Sequence, residues 1–153
     1  MKIEIRPSNP ADVDIINNIE KKCFKKRLQY GPSVLFNLLN SAKYVSLTAR
    51  IIQEKQFSVV GSAIGEKDQN KKYLGRIVLI IVDPRCQRKK IGSKLLSALE
   101  EKMIVLYGIK SFELQVHFEN DAAICFYQKN GYTISKKINN YYNRKEHAFL
   151  MQK

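Results

Sequence analysis

The chain has 153 residues, 44% of them hydrophobic and 27% charged, a composition that suits a folded globular domain and excludes disordered, collagen-like and coiled-coil readings. Twenty-seven Lys and Arg against 14 Asp and Glu give a formal net charge of +13, which invites a phosphate-bearing cofactor, an acidic peptide or a nucleic acid unless the Lys merely solvate exposed faces. No apolar run reaches the ~18 to 20 residues of a bilayer span, no signal-peptide core opens the chain, and no finger, KH or RNP pattern reads nucleic acid, so the expectation is a soluble cytoplasmic protein of one domain, residues 1–153, without membrane or sequence-specific nucleic-acid contacts.

Ile3 and Ile5 alternate with Lys2, Glu4 and Arg6 as a half-buried strand that closes at Pro7. Ser8 or Asn9 can cap a following helix, where Pro10 suits the first turn, Asp12 and Asp14 suit the positive end, and Val13, Ile16 and Ile19 form the apolar stripe. That helix should end near Cys23–Lys26. Lys25–Pro32 reads as a basic loop, and Ser33–Asn40 as a short helix with Val34, Leu35, Leu38 and Leu39 inward. Tyr44–Glu54 and Phe57–Glu66 read as an antiparallel pair of strands, with Gln56 and Lys67–Lys72 as turns. Tyr73–Val82 is continuously apolar, as a central strand covered on both faces should be. After Asp83–Pro84, Ile91–Tyr107 is an amphipathic helix with Leu95, Leu96, Leu99, Met103 and Leu106 on one side and Gly108 as its cap. Ser111–Phe118 reads as a strand, Asn120–Lys129 as a helix, Tyr132–Lys137 as a strand, Ile138–Glu146 as an aromatic turn region and His147–Met151 as the last strand. This alternation implies an α/β or α+β three-layer domain. Cys23, Cys86 and Cys125 lack metal-ligand spacing and read as reduced thiols, at least two of them core or semi-buried fillers; no metal site is expected.

The stretch Val82-Asp83-Pro84-Arg85-Cys86-Gln87-Arg88-Lys89-Lys90-Ile91-Gly92-Ser93 joins a buried strand to a helix start. The first-turn N–H groups have no intrahelical partner and carry the positive end of the helix dipole, so an anion there gains several hydrogen bonds together. Arg88, Lys89 and Lys90 add full charges. The alternative is an ordinary strand-to-helix connection with solvated cations.

A second stretch, Asn120-Asp121-Ala122-Ala123-Ile124-Cys125-Phe126-Tyr127-Gln128-Lys129-Asn130-Gly131-Tyr132, lies downstream. Together the two resemble the GNAT acetyltransferase superfamily: Gln87 and Gly92 match its pyrophosphate motif Gln/Arg-x-x-Gly-x-Gly/Ala, and the second stretch matches its Asn-x-x-Ala-x-x-Phe-Tyr-x-x-x-Gly-Phe/Tyr motif. The resemblance covers nearly the whole chain and implies a central, mixed and splayed sheet of about seven strands with helices on both faces, and acetyl-CoA as cofactor. Lys90 stands where the family has its first glycine; ordinary helical dihedrals are expected there, with the Lys ammonium favourable beside phosphate. Asn140-Tyr141-Tyr142 and His147-Ala148-Phe149-Leu150-Met151 resemble the ending of protein N-terminal acetyltransferases, including the ribosomal-protein alanine group, and Glu20, Cys23, Phe24 and Tyr30 resemble their other substrate wall, with Lys25 in place of the usual proline. The resemblance thus implies Phe24, Tyr30, Tyr141 and Tyr142 at the substrate.

Acetyl transfer to an amine needs a neutral nucleophile, a polarised carbonyl, an outlet for the amine proton and a proton for the departing thiolate. The resemblance puts a backbone N–H near Ile81–Val82 at the carbonyl, with Ile81, Val82 and Asp83 lining the cofactor, and makes Tyr127 the proton donor, a phenol of ordinary pKa near 10. Asn120 would bond the cofactor's pantetheine, cap the Tyr127 helix, or both. Where ribosomal-type relatives carry a glutamate, five residues before Asn120, this chain has Gln115, which can position water but takes no proton. Period two puts Glu113, Gln115 and His117 on one strand face, so Glu113 or His117 could act through water; Tyr142 and His147 are further candidates. The reading is acetyl-CoA-dependent acetylation of a protein N-terminal α-amine by direct attack, on a monomer or weak dimer that could dock on the ribosome through its basic surface. The alternatives are acetylation of a small polyamine or a lysine side chain, and a non-catalytic CoA-binding module on the ribosome.

Overall fold

The computed structural model covers residues 1–153 and holds seven strands and four helices. They are β1 (Lys2–Pro7), α1 (Val13–Cys23), α2 (Pro32–Asn40), β2 (Tyr44–Gln53), β3 (Gln56–Lys67), β4 (Leu74–Val82), α3 (Ile91–Tyr107), β5 (Ser111–His117), α4 (Asp121–Lys129), β6 (Thr133–Asn143) and β7 (Glu146–Gln152). The strand order β1-β2-β3-β4-β5-β7-β6 makes one mixed sheet, antiparallel except at β4–β5, where α3 is the crossover. This is the splayed mixed sheet that the sequence resemblance implies.

α3 lies over β1–β4 on one face and, with α4, covers a 19-residue core that includes Leu95, Leu96, Leu99 and Met103. α1 and α2 cover the other face with an eight-residue cluster around Ile16, Ile19, Leu35 and Ile81. Asn9 caps the Pro10–Asp12 turn with a full capping box, and Gly108 ends α3 in the left-handed conformation at φ +65°. Gly61 permits close contact of α3 with the sheet, since a Cβ there would stand 2.7 Å from the Ile81 carbonyl and 3.0 Å from Leu95.

Several local expectations need correction. Val34 is 42% exposed and Leu106 54% exposed, because burial on α3 ends at Met103 and Val34 lies on the solvent side of the short α2. Gln56 begins β3, and the turn before it is Glu54–Lys55. Strand β6 runs on to Asn143, so much of the supposed turn region Ile138–Glu146 is strand. The thiols agree with expectation in that two of the three, Cys23 and Cys86, are half-buried, while Cys125 is exposed. No helix is long and apolar enough to cross a membrane.

Candidate active site

β4 and β5 pair only through Leu74–Ser111, Gly75–Phe112 and Arg76–Glu113, after which β4 follows β3 and β5 follows β7, leaving a gap between them. A bulge at Val78 shifts the register of β4 against β3. The Asp83 N–H bonds the Val60 carbonyl at 2.7 Å, so strand alternation turns the Val82 N–H away from β3, into the gap. The Val82 carbonyl is already used: the Gln87 amide donates to it at 3.3 Å and the Cys23 thiol at 3.4 Å. Ile81 packs its side chain into the α1–α2 cluster and meets the gap only through its backbone.

Asp83 shapes the turn rather than the gap. Its buried carboxylate caps the Pro84–Cys86 turn through the Arg85 N–H at 3.0 Å and pairs with the Arg85 guanidinium at 3.0 Å and Lys22 at 3.3 Å. Arg85 above all holds it well below the usual carboxylate range. Beyond that turn the N–H groups of Gln87, Arg88, Lys89, Lys90, Ile91, Gly92 and Ser93 donate no hydrogen bond within the protein, and the first helical bond runs from the Lys94 N–H to the Lys90 carbonyl at 3.0 Å. Arg88 at φ +63° and Lys90 at φ +62° alternate with ordinary residues, the backbone pattern of an anion nest, and three cations surround it. The expectation of helical dihedrals at Lys90 is therefore wrong: the position is left-handed, as the family's glycine would allow, and Lys90 accepts that strain. Gly92 serves packing between helices, since a Cβ there would lie 3.1 Å from the Phe126 ring.

Asn120 caps α4 by accepting the Ala123 N–H at 3.1 Å. Tyr127, one turn further, stands edge-on to Tyr132, with ring centroids 5.7 Å apart. Burial pushes the Tyr127 phenol above its ordinary value, with the neighbouring Tyr142 adding to the shift. The phenol thus keeps its proton throughout the neutral range, and the simple match of its pKa to a thiolate does not hold. Tyr132 is fully buried and donates to Glu100 at 2.9 Å, and Lys153 meets the same carboxylate at 3.1 Å.

The groove on the opposite side of the gap has two walls. In the α1–α2 loop, buried Glu20 accepts the N–H groups of Tyr30 at 2.9 Å and Gly31 at 3.0 Å, while Gln29 bonds the Phe24 carbonyl at 2.8 Å. Phe24 leans on the α1–α2 cluster, and the Tyr30 hydroxyl reaches the carbonyl of the bulged Val78 at 3.4 Å. The other wall is the β6–β7 hairpin, whose pairing breaks between Ile138 and Asn143 and throws out Tyr141 and Tyr142, edge-on with centroids 4.8 Å apart. Arg27 of one wall forms an ion pair with Glu146 of the other. That link joins residues 119 apart in sequence, and nothing in the linear pattern pointed to it.

The base candidates fare differently. Gln115 stands on β5 opposite Leu150. Glu113 is buried at the closed end of the gap, where Arg76 donates to it at 3.0 Å. His117 accepts the Glu119 N–H on Nδ1 at 3.2 Å, and His147 accepts the Asn140 N–H on Nδ1 at 2.9 Å. In both neutral rings the proton then sits on Nε2, so neither histidine offers a free lone pair while that bond stands. Glu113 and His117 thus do not fit the role of base, and no cluster of three or more His, Cys, Asp or Glu gathers to bind a metal.

A sheet gap ending in an anion nest, flanked by the helix that carries a buried phenol and by an aromatic groove, suits an acyl-group transferase with a diphosphate-bearing carrier. Residues 13–132 match the Acetyltransferase (GNAT) family, and the chain belongs to it. It is similar to an uncharacterized N-acetyltransferase of Methanocaldococcus jannaschii, 29% identical over 149 residues that cover 97% of this chain and 90% of the relative. It is also similar to the N-terminal acetyltransferase B complex catalytic subunit NAA20 of Arabidopsis thaliana, 28% identical over 96 residues, 62% of this chain and 55% of that one. Its fold matches Arabidopsis thaliana NAA60 in complex with acetyl-CoA at a TM-score of 0.86 and 17% identity, covering 99% and 98% of the two chains. The protein is an acetyl-CoA-dependent N-acetyltransferase.

Proposed function

We propose that the protein acetylates the N-terminal α-amine of a polypeptide by direct attack on acetyl-CoA. The observation that carries this reading is the two-walled aromatic groove, Phe24 and Tyr30 facing Tyr141 and Tyr142 across the Arg27–Glu146 tie. The NAA20 relative, named for N-terminal acetylation, supports it.

The nest from Gln87 to Ser93 would hold the cofactor's diphosphate, with Arg88, Lys89 and Lys90 adding charge. Bound acetyl-CoA supplies an electrophilic thioester carbonyl and a thiol leaving group. The Val82 N–H, aimed into the gap, would donate to that carbonyl oxygen as charge builds on it. Tyr127 would hold a proton on its hydroxyl for the departing sulfur, and the proton lost by the attacking amine would pass through water to the phenolate left behind, so that amide and free thiol form with no net change in protons. Cys86 and Cys125 have no adjacent His and acid to activate them, so no acyl-enzyme is invoked. The formal charge of +13 suits docking of the enzyme on an anionic assembly such as the ribosome.

Incubation with acetyl-CoA and a panel of free-N-terminus peptides, with release of thiol as the readout, tests the reading directly. Turnover with peptides and little with spermidine supports it. Turnover with spermidine alone transfers the site to polyamines, and none with either leaves the α-amine reading without support.

A further inference from the structure

Two buried polar atoms beside the tyrosine hairpin have no partner within the protein: His117 Nε2, on a ring stacked against Tyr142, and Glu146 Oε2. The side chains are neighbours. His117 pairs with Ala148 across β5 and β7, and Glu146 precedes Ala148 by two, so both stand on the same face of the sheet in adjacent register positions.

Each is fixed by its other polar atom. His117 Nδ1 accepts the Glu119 N–H at 3.2 Å, which leaves the proton of the neutral ring on Nε2, and the ring stacks on Tyr142 with centroids 5.5 Å apart. Glu146 Oε1 accepts the Arg27 guanidinium, which holds the carboxylate below its ordinary value and therefore ionised. The pair thus sets one oriented donor beside one oriented acceptor. A cation would satisfy the carboxylate and be repelled by the Nε2–H; a carboxylate would do the reverse. An extended backbone residue, whose own N–H and C=O point to the same side of the chain, satisfies both.

We propose that His117 and Glu146 read one extended residue of the acceptor chain, Nε2–H donating to that residue's carbonyl and Oε2 accepting from its N–H, which point to the same side of the chain. The inference rests on the α-amine reading above and deepens it. The pair selects polypeptide backbone downstream of the reacting amine, independently of side-chain identity. His117 and Glu146 are positioning residues in this scheme, and neither moves a proton.

The test compares an alanyl tetrapeptide with propylamine, which has no peptide unit, as acceptors for the full chain and two variants. His117→Phe keeps a ring on Tyr142 and removes the donor. Glu146→Gln keeps an oxygen for Arg27 and places an NH2 where the acceptor stood. Each should raise KM for the peptide about fivefold with kcat within about twofold, the effect of one lost hydrogen bond. The loss in kcat/KM should be at least threefold larger for the peptide than for propylamine. Calorimetric titration of the CoA-saturated protein with the peptide should weaken by the same factor as KM. In the unsubstituted protein, exchanging successive backbone N–H groups of the peptide for ester oxygens should raise KM at a single unit. Unmoved peptide KM in both variants, equal losses for both acceptors, or no ester-sensitive unit among the first three would overturn the pairing. A wild type that acetylates no peptide at all overturns the α-amine reading itself, and this inference with it.

Discussion

Replacing Lys90 by glycine should stabilise the protein while weakening its hold on CoA slightly. Lys90 is exposed and left-handed, at φ +62° and ψ +14°, on the last residue before α3. An L-residue in that region costs about 1–2 kcal/mol, which glycine removes. Glycine in turn adds unfolded-state entropy that costs about 0.4–1 kcal/mol. The net gain is about 0.5–1 kcal/mol, or roughly 1–4 °C in Tm for a chain of this size. Lys90→Ala keeps the strain and loses only the charge, so its Tm should stay within about 1 °C of wild type. Both variants remove one exposed cation from the nest, worth about 0.2–1 kcal/mol, so the Kd for CoA should rise by about 1.4- to 5-fold in each, and less in high salt. Differential scanning calorimetry and a CoA titration on both variants separate the two effects. Equal Tm values for Lys90→Gly and Lys90→Ala would refute the strain argument, and loss of CoA binding in the glycine variant alone would show that the backbone there must be stiff.

Tyr127→Phe should lower kcat by roughly 10² while leaving CoA affinity within about twofold, as measured by thiol release and calorimetry. With Glu113 tied to Arg76 and both histidines bonded through Nδ1, kcat/KM for a peptide should rise tenfold per pH unit up to the α-amine's own pKa near 8. An inflection near 6.5, the histidine range, would restore His117 as base. Glu20→Ala leaves the Tyr30 and Gly31 N–H groups unpaired and should cost roughly 3 kcal/mol in urea unfolding, with peptide KM raised more than CoA affinity is lowered. Asp83, whose carboxyl is depressed chiefly by Arg85, contributes stability that is fully present above pH 4 and lost as pH falls towards its folded value; Asp83→Asn should therefore flatten the acid limb of a Tm-against-pH curve.

The parts of this fold that could be read from sequence were those fixed by local chemistry. Asn9 with Pro10, Gly108, and Asn120 mark helix ends because a cap is a contact between residues two to four apart. The continuously apolar Leu74–Val82 is central because only burial on both faces makes such a run stable. Periodicity overreached where an element outlasts its neighbour: Leu106 continues the stripe of α3, yet 54% of it is exposed. Backbone strain escaped too, since a lysine at Lys90 argues against the very dihedral it adopts. The occupied lone pairs of His117 and His147 and the Arg27–Glu146 tie depend on long-range register, which no window of residues contains.

Those ties explain how a sheet split down its middle can keep a reaction centre in place. The half built from β1–β4 and α3 carries the nest and the Val82 N–H, while the half built from β5–β7 and α4 carries Tyr127 and the tyrosine hairpin. Only three residue pairs join the halves along the backbone, so the width of the gap must be set by side chains. Arg76–Glu113 closes its narrow end, Tyr132 and Lys153 bind the far half to α3 through Glu100, and Arg27–Glu146 spans the groove at the open end. The first two clamps involve the buried carboxylates Glu113 and Glu100, where breaking a pair strands a charge and is costly. The third is half-exposed on its arginine side and therefore weak. The strong clamps hold the nest half against the phenol half, and the weak one spans the groove through which, on the α-amine reading, a peptide would enter and a product leave.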